Sequence, residues 1–305
     1  MRARLMFAAA VAACLVALHA SADQSPRDAL VRPVSWLVAH LNDPNLVLLH
    51  VGDRGEYDAA HLPGARYISM DDLSVSDHSG VGLHLEMLAP DVLRQHLQSF
   101  GISNASQIVV YYGKDWISPA TRVIFTLDYA GLGDHTVLLD GGQEAWAREG
   151  HPVTAAVPPA QQGTLSPLTI KPIVVDAAYV RAHLGAAKVT VVDGRSRSFY
   201  DGVDTGDSMG RKHRTGHIAG AKSVPFTELT DDRLMVRPSS ELLQIFTKAG
   251  VQPGDTIIGY CHIGQQATAM LFAARTLGHP VLLYDGSFED WSRHTDYPVE
   301  TVAAK

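Results

Sequence analysis

Cysteine is scarce in this chain, which has two in 305 residues. Cys14 lies in an apolar N-terminal run, and Cys261 is the other one. If the N-terminal run is removed, a single cysteine remains and no intrachain disulfide can form. Exported proteins usually carry paired cysteines, so a leftover thiol is a candidate reactive group. The alternative is a buried, inert cysteine that packs as a small hydrophobic side chain.

Two further absences limit the partners of this chain. It has no long basic run, and its formal net charge is −7 at pH 7. This balance argues against nucleic acid or an anionic membrane surface as the main partner. Beyond the N-terminal run, no segment stays apolar over the roughly 20 residues that a bilayer requires. We therefore expect a globular chain of two-domain size.

Residues 1–22 have the features of a cleavable signal peptide. Arg2 and Arg4 precede an apolar run over residues 5–18, and small residues follow at positions 20–22. This order is typical of an export signal, and we expect cleavage after residue 22 and a periplasmic protein that leaves the membrane after cleavage. The segment that ends at Cys14 also resembles a lipoprotein cleavage box. Cleavage there would leave Cys14 as a lipidated N-terminus.

Two sequence patterns occur twice. The segment HLPGA at residues 61–65 is echoed by HIAGA at residues 217–221. The segment at 137–142, with Trp146 after it, is echoed at 282–287, with Trp291 after it. Repeats this far apart indicate two similar domains rather than a solenoid. We predict a signal peptide over 1–22, a first domain over 29–156, a Pro/Gln/Gly-rich linker over 157–172 and a second domain over 173–301.

Short strand-like runs alternate with helix-like runs in both halves. The predicted strands include residues 47–51, 108–112, 189–192, 257–260 and 281–284. Asp176, Ser118 and Ser239 are predicted helix N-caps. This alternation predicts an α/β fold, with a mostly parallel sheet in each half covered by helices on both faces. Chemistry in such sheets occurs at the carboxyl ends of the strands, where Asp193 and Cys261 both fall.

Cys261 opens a short loop between a strand and a helix. It follows the strand at 257–260 and precedes a helix predicted over residues 267–277. Backbone N–H groups converge in such a loop, at the positive end of the helix dipole. Because this setting favours the thiolate, we predict a Cys261 pKa below that of an ordinary thiol.

Four motifs in the second half together resemble the rhodanese (sulfurtransferase) family in its two-domain form. The resemblance covers nearly all of the chain after residue 22. The motifs are an Asp-x-Arg after an early strand, a Gly-His-Ile-x-Gly-Ala segment, a cysteine loop between strand and helix, and a late Asp-Gly-Ser followed by Trp. In this chain they are Asp193-Gly194-Arg195, residues 216–221, Cys261–Gln266 and residues 285–287 with Trp291.

The first half keeps the order of the repeated motifs but lacks the residues that carry the chemistry. His50 and Gly52 stand where the Asp and Arg are expected, and Gly113 is the residue that we predict at the cysteine position. The resemblance therefore implies a non-catalytic N-terminal domain that supplies buried interface and one wall of the cleft.

The resemblance implies sulfur transfer through a covalent intermediate on Cys261. The thiolate takes the outer sulfur of a small anionic donor such as thiosulfate, and a thiol or cyanide then removes it. The active-site loop would be His262, Ile263, Gly264, Gln265 and Gln266. Arg195 is the expected anion-binding residue, and an ion pair with Asp193 is its structural alternative. We expect no cofactor, no resident metal ion and a monomer.

The residues that follow the cysteine bear on the identity of the donor. Thiosulfate-type relatives carry Arg and Lys after the cysteine, and mercaptopyruvate-type relatives carry Gly-Ser-Gly. This chain has His262, Ile263 and Gly264 there, so it lacks both patterns. His262 is either a partial cation or proton donor near neutral pH, or a polar residue at the loop rim. Mercaptopyruvate-type relatives also carry a second Arg shortly after Asp-x-Arg, and Arg197 of this chain is not in register with it. Thiosulfate or another small persulfidic donor is therefore preferred by elimination, and 3-mercaptopyruvate is the alternative.

Three other functions compete with this one. Phosphatases of the same fold require an arginine at the position of Ala267, so we exclude phosphoryl transfer. A periplasmic soft-metal binder would use Cys261, His262, Met209 and His213 as ligands. A non-enzymatic carrier would hold a persulfide on Cys261 without turnover.

Overall fold

The computed structural model describes residues 25–114, 116–208 and 211–302. The predicted signal peptide, Cys14 and Met209 lie outside the described residues. The first domain contains α1 (Pro26–Leu30), β1 (Val31–Arg32), α2 (Val34–His40), β2 (Leu46–Val51), α3 (Arg54–Ala59), β3 (Arg66–Ile68), β4 (Ser74–Val75), β5 (Glu86–Met87), α4 (Pro90–Ser99), β6 (Gln107–Tyr112), α5 (Ser118–Tyr129), β7 (Thr136–Leu139) and α6 (Gly142–Arg148).

The second domain repeats this plan. It contains β8 (Val174–Val175), α7 (Ala177–Ala182), β9 (Val189–Asp193), α8 (Arg197–Asp201), β10 (Asp207–Ser208), β11 (Arg211–Lys212), β12 (His217–Ile218), β13 (Lys222–Ser223), α9 (Ser239–Ala249), β14 (Thr256–Tyr260), α10 (Gln265–Thr276), β15 (Val281–Tyr284), α11 (Ser287–Trp291) and β16 (Val299–Glu300). Within the described ranges, no helix combines the length and apolarity that crossing a bilayer requires.

Each domain is built on a five-stranded sheet. The strand order is β1-β7-β6-β2-β3 in the first sheet and β13-β9-β14-β15-β8 in the second. All pairings within the two sheets are parallel. The predicted α/β class with two similar domains is confirmed. In both sheets the central strands are almost wholly buried, as expected when helices cover both faces.

The two domains share one hydrophobic core. Helices α5 and α10 pack against each other, and their buried side chains belong to the same cluster as those of both sheets. Ile124 and Phe125 on α5, and Met270 and Leu271 on α10, are all at most 3% exposed. Burial of this much apolar surface between domains favours a rigid pair over two independent units on a flexible linker.

Of the three predicted helix N-caps, one is confirmed and two are wrong. The Asp176 cap of α7 is confirmed, because its carboxylate accepts a bond of 2.8 Å from the Tyr179 backbone N–H. Ser118 and Ser239 are the first helical residues of α5 and α9 rather than their N-caps. Helix α10 begins at Gln265, two residues earlier than predicted.

Candidate active site

Cys261 lies at the carboxyl end of β14, in the centre of the second sheet. Tyr260, the residue before it, pairs with Asp193 at the end of β9. Parallel strands end at the same edge of a sheet, so Asp193 and Cys261 are brought together. The cysteine side chain is a free thiol with no solvent exposure.

The loop after Cys261 turns backbone amides toward its sulfur. The backbone N–H groups of Ile263, Gly264 and Ala267 act on Sγ, and each of them favours the thiolate by lowering the pKa of Cys261. Gly264 caps α10 with a φ of 84°, in the left-handed region that favours glycine. A Cβ at this position would lie 2.9 Å from the Asp285 backbone oxygen, so a larger residue does not fit. Gln265 and Gln266, predicted in the loop, form the first turn of α10.

Helix α11 fixes the backbone of the cysteine. The Cys261 N–H donates to the Ser287 hydroxyl at 3.2 Å. The N–H groups of Phe288 and Glu289 donate to the carbonyls of Cys261 and His262, each at 3.0 Å. These bonds set the direction in which the Cys261 side chain leaves the sheet, and nothing in the sequence other than the Asp-Gly-Ser motif indicated them.

The predicted lowering of the Cys261 pKa is wrong. Burial raises the pKa of the Cys261 thiol, and the amides of Ala267, Ile263 and Gly264 oppose this effect without overcoming it. The loop amides were predicted correctly, whereas the complete loss of solvent could not be inferred from local sequence. The site therefore holds a sheltered thiol whose ionisation is assisted by main-chain donors.

Arg195 and Asp193 form a buried, two-pronged ion pair. Nε and Nη2 of Arg195 donate to the Asp193 carboxylate, the latter at 2.6 Å. Nη2 also donates to the Gly216 backbone oxygen at 2.7 Å. The guanidinium lies over the Phe288 ring at 4.1 Å. The ion-pair role is thus present, and the guanidinium also lies 5.8 Å from the ring of Tyr260, the residue before Cys261.

His262 is surrounded by rings rather than by anions. Its imidazole contacts Phe199 edge-to-face at 4.6 Å, and the His213 ring lies 6.0 Å away. Burial, with the Arg195 charge adding to it, lowers the pKa of His262 to about 4. The side chain is therefore neutral near pH 7, which removes the partial-cation interpretation for the unliganded site.

The first domain contributes an arginine that the sequence analysis missed. Arg122 of α5 is 1% exposed and pairs with Asp285 at 2.7 Å. It also donates to the carbonyl of Gly264 at 3.3 Å and to that of Leu85. The available signal was an arginine flanked by apolar and small residues in the first turns of α5, because a buried charge requires a partner. Arg122 thus supports the floor of the cysteine loop from the opposite domain.

The sheet registers identify the first-domain residue at the position of the cysteine. In the second sheet Asp193 pairs with Tyr260, the residue immediately before the cysteine. In the first sheet His50 pairs with Tyr111, and Tyr112 follows. Because His50 is the counterpart of Asp193, Tyr112 is the counterpart of the cysteine.

A second set of contacts gives the same alignment. The Tyr111 hydroxyl accepts from the Leu62 N–H at 3.1 Å, and the Tyr260 hydroxyl accepts from the Ile218 N–H at 3.0 Å. Leu62 and Ile218 occupy matching places in the two repeated segments. The prediction that Gly113 stands at the cysteine position is therefore wrong by one residue.

His217, which repeats His61, has a structural role in its turn. Its Nδ1 bonds to the Tyr200 carbonyl at 2.7 Å, as Nδ1 of His61 bonds to the Tyr57 carbonyl at 2.6 Å. Among the described residues, no group of three or more His, Cys, Asp or Glu side chains is arranged to hold a metal ion. The structure thus gives no support to the soft-metal alternative within the part of the chain that it describes.

The second domain holds a buried thiol at a strand end, with backbone amides around its sulfur. The first domain repeats this fold without the thiol. Together they define a tandem α/β enzyme with a sulfur nucleophile. The model of the Rhodanese-like domain matches residues 33–149 and 176–294. The chain belongs to the rhodanese-like family and is a tandem sulfurtransferase.

Individual relatives match over most of their length. The chain is 30% identical over 277 residues to a probable 3-mercaptopyruvate sulfurtransferase of Pseudomonas aeruginosa, covering 87% of this chain and 95% of the relative. It is 29% identical over 276 residues to a thiosulfate sulfurtransferase of the same organism, covering 89% and 97%. The crystal structure of YnjE matches with a TM-score of 0.81 and 22% identity over 92% of this chain and 70% of that one, which shows a shared fold.

Proposed function

We propose that this sulfurtransferase moves a sulfane sulfur from a small oxyanionic donor to a thiol or to cyanide through a persulfide on Cys261. The observation that carries the proposal is the convergence of three loop amides on the buried sulfur of Cys261. Such a ring of donors stabilises negative charge on sulfur without a cation of its own. Names of relatives that act on thiosulfate and on 3-mercaptopyruvate support the same class of donor.

The transfer balances in two displacement steps. The Cys261 thiolate attacks the outer sulfur of thiosulfate, the S–S bond breaks, and sulfite leaves with the bonding electron pair. An acceptor thiolate or cyanide then attacks the outer sulfur of the persulfide, and the Cys261 thiolate leaves. The loop amides hold the charge that resides on sulfur in both states. No external oxidant or reductant is needed.

Arg195 is proposed to bind the oxyanion of the donor from beside the loop. Its Nε and Nη2 groups are engaged by Asp193 and Gly216, and among the described residues Nη1 forms no hydrogen bond. One donor group of a permanently charged side chain therefore remains for an anion. The pair with Asp193 holds that group in place.

Thiosulfate is the proposed donor, and 3-mercaptopyruvate is the second candidate. The loop has neither the second cation of one type nor the serine of the other, because His262, Ile263 and Gly264 follow the cysteine. A neutral His262 offers a single N–H donor, which suits a compact oxyanion.

Intact mass after incubation with each donor tests the proposal. The wild-type chain should gain one sulfur atom, and Cys261→Ser should gain none while keeping the thermal midpoint of the wild type. A gain with only one donor identifies that donor. Turnover with cyanide separates an enzyme from a carrier, since a carrier loads once and releases nothing catalytically. Sulfur loading of Cys261→Ser would contradict the assignment.

We also propose that the enzyme works as a periplasmic monomer. The support for export is the order of residues 1–22, in which positive charges come first, an apolar run follows and small residues come last. The mass of the protein isolated from its cell envelope tests this: loss of 22 residues supports export with cleavage there, and a lipid mass on Cys14 supports the lipoprotein alternative. Sedimentation of the mature protein tests the monomer.

A further inference from the structure

The catalytic domain carries an insertion that the first domain lacks. In the first domain a single residue, Ala60, separates α3 from His61. In the second domain residues 202–216 separate α8 from His217, and they include the β10–β11 hairpin. Only the domain with the cysteine has this segment, so we expect its role to lie at the active site.

The base of the insertion lies against the cysteine loop. The His213 N–H donates to the Gly206 carbonyl at 2.8 Å and closes the segment. A Cβ at Gly206 would lie 2.9 Å from Cε1 of His262 and 3.4 Å from Nδ1 of His213. The two imidazoles thus lie against the same glycine, and one of them belongs to the residue that directly follows Cys261.

His213 is a buried polar group without a partner. Its side chain is 5% exposed, and neither ring nitrogen has a hydrogen-bond partner within the described ranges. Its ring neighbours are Phe288 and His262. Leaving a buried donor and acceptor unpaired costs roughly 1–3 kcal/mol each, so the arrangement calls for a group that arrives from outside.

The charged groups around His213 would favour an anion bound next to its ring. Arg195 acts on both His213 and His262, and it lies over the same Phe288 ring that His213 faces. Two carboxylates act on His213. Glu289 is engaged with His84 at 2.8 Å and with Arg293 at 3.3 Å, and Asp207 is exposed to solvent. An arriving oxyanion would therefore meet a guanidinium and two imidazole rings.

We propose that His213 is a donor-binding residue of this site, whose ring N–H, with that of His262, binds the oxyanion end of the sulfur donor. This inference rests on the proposed sulfurtransferase function. The recognised chemistry is an oxyanion next to a transferable sulfur, which both the sulfonate of thiosulfate and the carboxylate of 3-mercaptopyruvate present. Cyanide presents no oxyanion, so the second half-reaction should not involve His213.

The test separates the two half-reactions by steady-state kinetics with each donor. His213→Phe should lower kcat/KM for the donor about tenfold, the effect of one hydrogen bond to a charged group, and leave kcat/KM for cyanide unchanged. His213→Gln and His213→Asn each keep an N–H, and at least one should stay within about threefold of wild type. His213→Leu replaces the Phe variant if the latter does not fold.

A structural role for His213 predicts a different pattern. It would change both half-reactions or the thermal midpoint. Under the proposal, replacing a buried imidazole that has no hydrogen-bond partner within the described segments by an apolar ring should keep or raise that midpoint. Thr205→Val is the control, because it removes the Thr205–Thr215 hydroxyl bond of 2.8 Å within the same segment and no group near Cys261. It should stay within about twofold of wild type for both half-reactions.

Each outcome decides the inference. A loss with thiosulfate alone assigns the sulfonate, a loss with 3-mercaptopyruvate alone assigns the carboxylate, and a loss with both assigns any oxyanion. Unchanged donor kcat/KM in His213→Phe overturns the role of His213 while leaving the proposed function intact. If wild-type Cys261 acquires no sulfur from either donor, the proposed function itself fails.

Discussion

Tyr112 occupies in the first domain the position that Cys261 occupies in the second. Its hydroxyl accepts from the Gly141 N–H at 3.0 Å and donates to the carbonyl of Leu234, in the other domain, at 2.5 Å. The side chain is 1% exposed, and burial raises its pKa. The place of a nucleophile is thus filled by a side chain that joins the two domains.

Restoring a cysteine at this position should not restore chemistry. In a Cys261→Ser background, Tyr112→Cys should gain no sulfur from thiosulfate or 3-mercaptopyruvate. The loop amide of Lys114 is already engaged by the Glu56 carboxylate at 3.1 Å, and the Asp193 and Arg195 positions hold His50 and Gly52. Intact mass after incubation provides the measurement, with the wild-type chain as positive control. A gain of one sulfur atom would show that the first domain needs only the thiol.

The pH dependence of Cys261 should follow a raised pKa. Because burial raises the pKa of this thiol, its thiolate fraction increases only at more alkaline pH than that of an exposed cysteine. We expect kcat/KM for the donor to rise with pH along the same curve. The pH midpoint of iodoacetamide alkylation measures it.

The matched control for that measurement is an exposed thiol in the same protein. Val203 is 79% exposed, so Val203→Cys in a Cys261→Ser background gives the ordinary midpoint. A Cys261 midpoint below that of the control would show that the loop amides outweigh burial.

The Arg122–Asp285 pair should contribute strongly to stability. Arg122→Met leaves a buried carboxylate without its cation, which costs about 3–5 kcal/mol in the free energy of unfolding. Adding Asp285→Asn should recover part of the loss. Urea denaturation measures both. Arg54→Met, which removes an exposed pair with Asp58 at 2.9 Å, should change little. Equal effects of Arg122→Met and Arg54→Met would contradict this prediction.

Glu86 should make the domain interface sensitive to pH. Burial, with the Asp285 charge adding to it, raises the pKa of Glu86 to about 7, and its Oε1 has no partner in the described part of the chain. A raised pKa means that stability is lost as the pH increases from about 4.5 to 7, because the unfolded chain ionises first.

Glu86→Gln removes that penalty. It should raise the free energy of unfolding at about pH 8, by on the order of 2 kcal/mol. It should change that free energy little near pH 4.5, where the folded carboxyl is neutral and the unfolded one is only half ionised. Urea titrations at the two pH values give the comparison. An increase of the same size at both would point to packing rather than ionisation.

Much of the fold could be predicted because it depends on local patterns. Strand–helix alternation and the repeated segments predicted two parallel sheets, and Asp176 marked a helix start that the structure confirms. The Cys261 loop was recognisable since a strand, a cysteine, a glycine and a helix follow one another directly. Each of these signals lies within a few residues of the feature that it predicts.

The remaining features depend on contacts between distant segments. Three features arise from contacts between residues that are far apart in the chain, which no local pattern predicts. They are the burial of Cys261, the role of Arg122 and the proximity of His213 to His262. The Tyr112 alignment needed strand register, because in the sequence either Tyr111 or Tyr112 could match Tyr260. Solvent exclusion, which sets the direction of the Cys261 pKa, is likewise a property of the folded pair.

The full enclosure of Cys261 has a consequence for the lifetime of any intermediate stored there. A sulfur atom bound to this side chain is shielded from reductants, peroxides and foreign disulfides in the medium. Its spontaneous discharge therefore requires the surrounding protein to open first. The enzyme can therefore retain a labile form of sulfur between encounters with its two reactants.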